Sequence, residues 1–142
     1  MWLLEVKGDL VEMFKRGQVD VMVHGCNTFC TMGAGIARQV SKEFPEAYEA
    51  DCKTVKGDMT KLGTYTQATV ATKDKDGNPR TGVIVNAYTQ HSTFGKDVLF
   101  EYEHFPKLLE AIKKEFTGQR IGFPWIGAGL AGGDWEIIRQ MI

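Results

Sequence analysis

Residues His24 to Gly35, HGCNTFCTMGAG, place a histidine, two cysteines, an asparagine and two close glycines in one turn. A histidine with an ordinary pKa near ~6.5 can give or take a proton at neutral pH, which makes His24 a candidate general acid or base. A lone histidine at a strand end also serves as a structural residue, so both readings stand. A metal reading has less support. His24, Cys26 and Cys30 give a loose H-x-C-x3-C, with His91 or Cys52 as further donors, whereas structural zinc sites show paired Cys-x2–4-Cys or His-x3–5-His units. Cys26 and Cys30 are read as small buried residues beside the turn, and neither a metal nor a cofactor is expected.

A second glycine-rich stretch, GAGLAGG at Gly127–Gly133, matches the first, MGAGIA at Met32–Ala37, in following an apolar run and leading towards a helix. Backbone N–H groups at a helix N-terminus form a ready site for phosphate, and in open α/β sheets ligands sit beyond the carboxyl ends of the strands. Two such turns facing one crevice could hold a diphosphate without any lysine. Neither turn matches the dinucleotide fingerprint or the phosphate loop ending in Gly-Lys-Ser/Thr. Asp134, which opens the last helix, is read either as an N-cap or as a group that activates water or positions His24.

The elements that must position these turns follow from periodicity. Trp2–Val6 and Val19–Gly25 fit buried strands, and Asp9 suits the N-cap of a helix over LVEMF. Ile36, Val40 and Phe44 form one helical stripe from Gly35 until Pro45 stops it, and Ala47–Lys56 continues as a weaker helical stretch. Thr64–Ala71 and Thr81–Ala87 read as a hairpin around KDKDGNPR. After a polar loop at His91–Asp97, Phe105, Leu108, Leu109, Ile112 and Phe116 mark an amphipathic helix with Pro106 in its first turn. RIGFPW reads as a short strand, and the chain ends in a helix. Strands alternating with helices around a hairpin predict an α/β layered domain with helices on both faces of a mixed sheet.

The chain has 142 residues, 43% of them hydrophobic, which suits one compact domain over residues 1–142. That domain could lack a final strand, since the sequence stops inside its last predicted helix. The 17 Lys and Arg nearly balance the 18 Asp and Glu, so no broad field is available to hold nucleic acid or an anionic membrane. No apolar run approaches the ~20 residues needed to span a bilayer, and the opening residues do not read as a secretory signal. Three cysteines, an odd number, read as free thiols in a reducing compartment, so a cytoplasmic location is expected.

In their order and spacing, VKGDL (Val6–Leu10), VHGCN (Val23–Asn27), MGAGIA, VNAYTQ (Val85–Gln90) and IGAGLAGG (Ile126–Gly133) resemble the macro domain family. The resemblance covers nearly the whole chain. It is to the ADP-ribose-processing branch, which includes ADP-ribose 1″-phosphate phosphatases and hydrolases that remove ADP-ribose from acidic side chains. It implies a three-layer α/β/α domain with a mixed central sheet, and ADP-ribose, its 1″-phosphate or an ADP-ribosylated protein as partner. Asp9 would then accept from the adenine amino group beside the backbone of Leu10, and Asn27 would orient the distal ribose. Met32, Gly33, Ala34, Gly35, Ile36 and Ala37, with Gly127, Ala128, Gly129, Leu130, Ala131 and Gly132, would wrap the diphosphate and terminal sugar. Tyr88, Thr89 and Gln90 would line the same crevice, although Tyr88 is read equally as a core residue, and Phe29 and Trp135 share that ambiguity.

The resemblance also strengthens His24 as a catalytic candidate, together with Asn27 and Asp134. The chain departs from the ester-cleaving members, which carry a lysine near the place of Asn86, Ala87 or Tyr88 and an aspartate at the place of Ala131; Lys96 is the only nearby substitute. The expected activity is therefore phosphate removal from ADP-ribose 1″-phosphate. The alternatives are removal of ADP-ribose from protein carboxylates and binding without turnover.

Overall fold

A computed structural model of the chain describes residues 4–91, 99–128 and 131–142. Its elements run α1 (Leu10–Lys15), β1 (Val21–Cys26), α2 (Gly35–Glu43), α3 (Pro45–Cys52), β2 (Tyr65–Lys73), β3 (Pro79–Tyr88), α4 (Phe105–Glu115), β4 (Ile121–Gly122) and α5 (Trp135–Met141). The sheet has the order β2-β3-β1-β4, with β1 parallel to both β3 and β4 and the β2–β3 pair antiparallel. This is the mixed sheet that the periodicity predicts, with helices on both faces.

Side-chain alternation along β1 and β3 divides the core in two. Val21, Val23, Val85 and Ala87 face α4 and α5, packing with Phe105, Leu108, Leu109, Ile112 and Ile138. Met22 and Ile84 face the other way, with Val11, Phe14, Val40, Phe44 and Ala47 of the first three helices and their ends. Asp9 caps α1 by accepting from Val11 N (3.0 Å) and Glu12 N (3.3 Å).

Several boundaries differ from the expectation. Leu4–Val6 form no strand: Leu4 and Val6 are exposed, and Glu5 instead accepts from Trp135 Nε1 and pairs with Arg139. Pro45 not only ends α2 but opens α3 at its first turn, where a missing N–H costs nothing. The strand expected at RIGFPW keeps only Ile121 and Gly122, because Pro124 lacks the N–H that a longer ladder would use.

The amino ends of the three parallel strands are clamped together by Asp20. Its carboxylate accepts from Arg120 N (2.9 Å), Nε (3.1 Å) and Nη2 (2.9 Å) and from Arg80 Nη2 (3.3 Å). The Asp20 carbonyl accepts from Val83 N at 3.0 Å. The Arg120 guanidinium holds the Asp20 carboxyl down at about 2. A depressed folded-state pKa means that this contribution is complete above pH 4 and is lost as pH falls towards 2. Asp20→Asn is therefore expected to lower unfolding free energy at pH 7 by about 1–2 kcal/mol, the scale of charge-assisted hydrogen bonds in competition with water. Urea denaturation should show the gap from wild type closing between pH 4 and pH 2; a gap that persists unchanged at pH 2 contradicts the clamp.

Candidate functional site

Beyond the carboxyl ends of β1, β3 and β4 the chain leaves a cavity of about 880 Å³. Its walls are the turn after β1 (Gly25, Cys26, Asn27, Phe29, Thr31), the start of α2 (Gly33–Ala37), the end of β3 (Thr89, Gln90), and the turn after β4 (Pro124–Gly127). Lys56, Leu99 and Ala131 complete the lining. The volume suits a ligand of dinucleotide size.

The first turn holds itself open. Asn27 Oδ1 accepts from Phe29 N (2.7 Å), while Nδ2 donates to Thr31 O (3.0 Å) and Thr31 Oγ1 (2.8 Å). The next helix begins without a side-chain cap, because Ala34 stands at the capping position in extended conformation. The amides at the start of α2 therefore remain available to an anion, with the helix dipole behind them.

The second turn depends on a glycine at 127. Its φ is +78°, and a Cβ there would collide with the Phe100 ring. Gly127 O accepts from Gly133 N at 2.7 Å, and Ala131 O accepts from Leu99 N at 2.7 Å, which folds the turn over the cavity. Gly25 is constrained from below, since a Cβ would come within 2.8 Å of Thr89 Oγ1.

The structure brings Asn27, Gly33, Ala34, Gly35, Ile36, Ala37, Thr89, Gln90, Gly127 and Ala131 to this cavity. Met32 is buried beneath it with Cys26 and Tyr88, and Ala128 packs on the α4 side of the core. Gly132 is exposed beside the second turn without lining the cavity. Gly129, Leu130 and Lys96 lie outside the described residues. Asp9 and Asp134 are exposed helix N-caps, Asp134 accepting from Glu136 N at 3.0 Å, and neither they nor Leu10 line the cavity.

His24 and Tyr88 are corrections. Both share the β1–β3 face with Met22 and Ile84, so their side chains point beneath α3 and not into the cavity. His24 is 0% exposed, and its Nε2 lies 2.7 Å from Asn86 Oδ1. Because Asn86 Nδ2 donates to Ala47 O and Thr66 Oγ1, its Oδ1 faces His24 as acceptor and the proton sits on Nε2. Burial lowers the ring to about 4, outweighing that hydrogen bond. Tyr88 donates to Asp51 Oδ1 at 2.7 Å and lies 3.1 Å from Thr66 Oγ1; burial pushes its hydroxyl up. Burial likewise pushes the Cys26 thiol well up, which leaves it neutral and a poor nucleophile.

Lys56 and Trp125 escaped the sequence reading. Lys56 reaches the cavity through a contact distant in sequence: Gly57 N donates to Thr28 O at 2.7 Å. No local pattern encodes that approach. Trp125 directly precedes the second glycine turn, which was the available signal; it is 70% exposed and stacks on Trp135 with centroids 5.7 Å apart. Among the described residues no cluster of three or more His, Cys, Asp or Glu is placed to hold a metal ion, and no helix is long and apolar enough to cross a membrane.

A sequence profile described as Macro domain matches residues 23–142. An uncharacterized 17.5 kDa protein in the tk-vs intergenic region of Enterobacteria phage T4 is 37% identical over 142 residues, covering 96% of this chain and 85% of that protein. A DNA ADP-ribosyl glycohydrolase of Thermus aquaticus is 28% identical over 137 residues, covering 96% of this chain, which spans 36% of that protein. The macrodomain of Thermus aquaticus DarG superposes with a TM-score of 0.70 at 24% identity, covering 96% of this chain and 85% of that one.

The sealed imidazole generates a prediction. Its folded-state pKa lies below the unfolded value, so between pH 6.5 and pH 4 the unfolded chain binds a proton that the folded chain excludes, and stability falls as pH falls. An NMR titration of the His24 ring should show a midpoint near 4. A midpoint at or above 6 would mean that the ring reaches water and is free to exchange protons.

Proposed function

This chain belongs to the macro domain family, and from that premise we propose that its cavity binds ADP-ribose and that it hydrolyses ADP-ribose 1″-phosphate to ADP-ribose and inorganic phosphate. The observation that carries the reading is the convergence of two turns, the uncapped start of α2 and the Gly127 turn, on one 880 Å³ cavity. Backbone amides in that arrangement suit a diphosphate bridge between two sugars.

In this reading water attacks phosphorus, the bond from phosphorus to the sugar oxygen breaks, and the departing oxygen takes a proton. His24 is sealed from the cavity and Asp134 is turned to its own helix. The protonated phosphate monoester, whose second pKa lies near ~6, supplies that proton itself. The turn amides stabilise the charge that develops on the phosphoryl oxygens, and Asn27 fixes the turn that places them. No covalent intermediate forms.

A second reading has its own support in the Thermus aquaticus relative, a DNA ADP-ribosyl glycohydrolase. Here the same cavity would hold ADP-ribose while its link to a macromolecule, a DNA base or a protein carboxylate, is cleaved at the terminal ribose. Binding without turnover is the third outcome.

Gly33 gives a clean test, because a Cβ at this position meets nothing of the protein within 4 Å and its backbone is not in the left-handed region. Gly33→Val is expected to keep the wild-type melting temperature while weakening ADP-ribose binding at least tenfold in calorimetry, since the new side chain fills only ligand space. Wild-type protein should release phosphate from ADP-ribose 1″-phosphate above background. Release of ADP-ribose from a modified glutamyl peptide or DNA strand, with no phosphate release, transfers the activity to the second reading. No heat with millimolar ADP-ribose removes both.

A further inference from the structure

Lys56 is the only charged side chain among the described residues that line the cavity. It has no ion-pair partner among them. Asp58, the nearest carboxylate in sequence, is occupied by Thr60 N (2.9 Å) and Thr60 Oγ1 (2.7 Å). Lys61 turns inward to donate to Thr28 O at 2.8 Å. The position of Lys56 is fixed from behind by Gly57, which donates to Thr28 O and at φ +78° lies against the Phe29 ring, where a Cβ would be 3.0 Å from Cε1.

The cavity is chemically polarised. Lys56 lies between α3 and β2, on the side of the β2 edge, whereas Trp125 follows β4, the opposite edge. At the β4 end the exposed Trp125 ring, nearly parallel to Trp135 at 13°, offers a flat apolar platform suited to a nucleobase. Near the other end Thr89, beyond β3, is 2% exposed and its hydroxyl has no hydrogen-bond partner. A buried hydroxyl without a partner is costly, and it lines the same cavity as an unpaired ammonium.

We propose that Lys56 and Thr89 form a subsite for an anionic group on the terminal ribose, and that Lys56 sets the preference for ADP-ribose 1″-phosphate over unmodified ADP-ribose. The inference rests on the ADP-ribose reading above: with the base at Trp125 and the diphosphate on the turn amides, the terminal ribose extends towards Lys56. The ammonium meets the added phosphate as a mobile point charge, and the Thr89 hydroxyl donates to one of its oxygens.

The experiment compares ADP-ribose with a non-hydrolysable 1″-phosphonate analogue by calorimetry on the full chain. Wild type should bind the phosphonate more tightly. In Lys56→Gln the ratio of the two dissociation constants should fall about tenfold, in Lys56→Arg it should be restored, and in wild type it should shrink as salt is raised. Lys56 is exposed, so both variants are expected to melt with wild type. If wild type binds ADP-ribose but shows no preference for the phosphonate, or if Lys56→Gln keeps the preference, the subsite is refuted while the ADP-ribose reading survives. If wild type binds no ADP-ribose, both fall.

Discussion

Backbone amides at the start of α2 have neither a side-chain cap nor a ladder partner, and the site is built around that deficit. A serine or aspartate at position 34 would satisfy one of those donors and contribute about 1 kcal/mol to the helix; alanine leaves them to whatever enters the cavity. A helix end left open in this way must be stabilised from elsewhere. Asn27 does part of this by holding the preceding turn through both ends of its side-chain amide. Gly127 does the rest from across the cavity, since any side chain there would displace Phe100 and shift the second turn. Binding capacity thus comes from two main-chain surfaces whose shapes are set by hydrogen bonds outside the cavity.

A buried polar network underlies the first turn. His24, Asn86, Thr66, Tyr88 and Asp51 are linked in sequence by contacts of 2.7–3.1 Å. Asn86 also reaches Ala47 O, which ties α3 to the sheet. Lys61 joins from the side, donating to Thr28 O while its ammonium sits 4.7 Å from the Tyr88 ring centroid. Cys30 Sγ meets Asp51 O at 3.3 Å and holds its own residue at φ +59°, a conformation that non-glycine residues seldom adopt. Burial raises the Asp51 carboxyl, and its Oδ2 has no partner. Such networks cost desolvation, and what they supply is directionality: each member fixes the next, so the turn carrying Asn27 is anchored to both α3 and β3. The histidine belongs to this anchoring and not to the chemistry.

Much of this was legible in the sequence. The hairpin followed from Asp-Gly and Asn-Pro between β-branched runs, and the glycine turns announced a phosphate-sized crevice. His24 was misjudged because residue type was weighed ahead of strand parity: Met22, His24 and Cys26 alternate onto one face, and Met22 alone would have marked that face as core. Tyr88 follows the same rule through Ile84 and Asn86. Leu4–Val6 alternated too briefly to force pairing, and Pro45 could stop one helix or begin another with equal chemistry. Lys56 was unreadable for a different reason. It enters the cavity because Gly57 bonds to Thr28 and packs on Phe29, and nothing near position 56 reports on residues so far away in sequence.

The composition of the lining constrains the source of catalysis. Among the described residues Lys56 is the only charged group there, and the cysteine thiol is held neutral. General acid–base catalysis, typically worth 10²–10⁴-fold, therefore has no evident side chain to deliver it near neutral pH. What remains is placement and electrostatics, and a single well-aimed donor to a developing oxyanion can contribute about 3–4 kcal/mol in a site sheltered from water. Main-chain donors suit that role because they are already ordered when the ligand arrives. A phosphate leaving group that carries its own proton needs nothing more from the protein, whereas cleavage of a carboxylate or base link needs proton handling that these walls do not offer. The chemistry of the cavity thus favours the phosphate substrate independently of any relative.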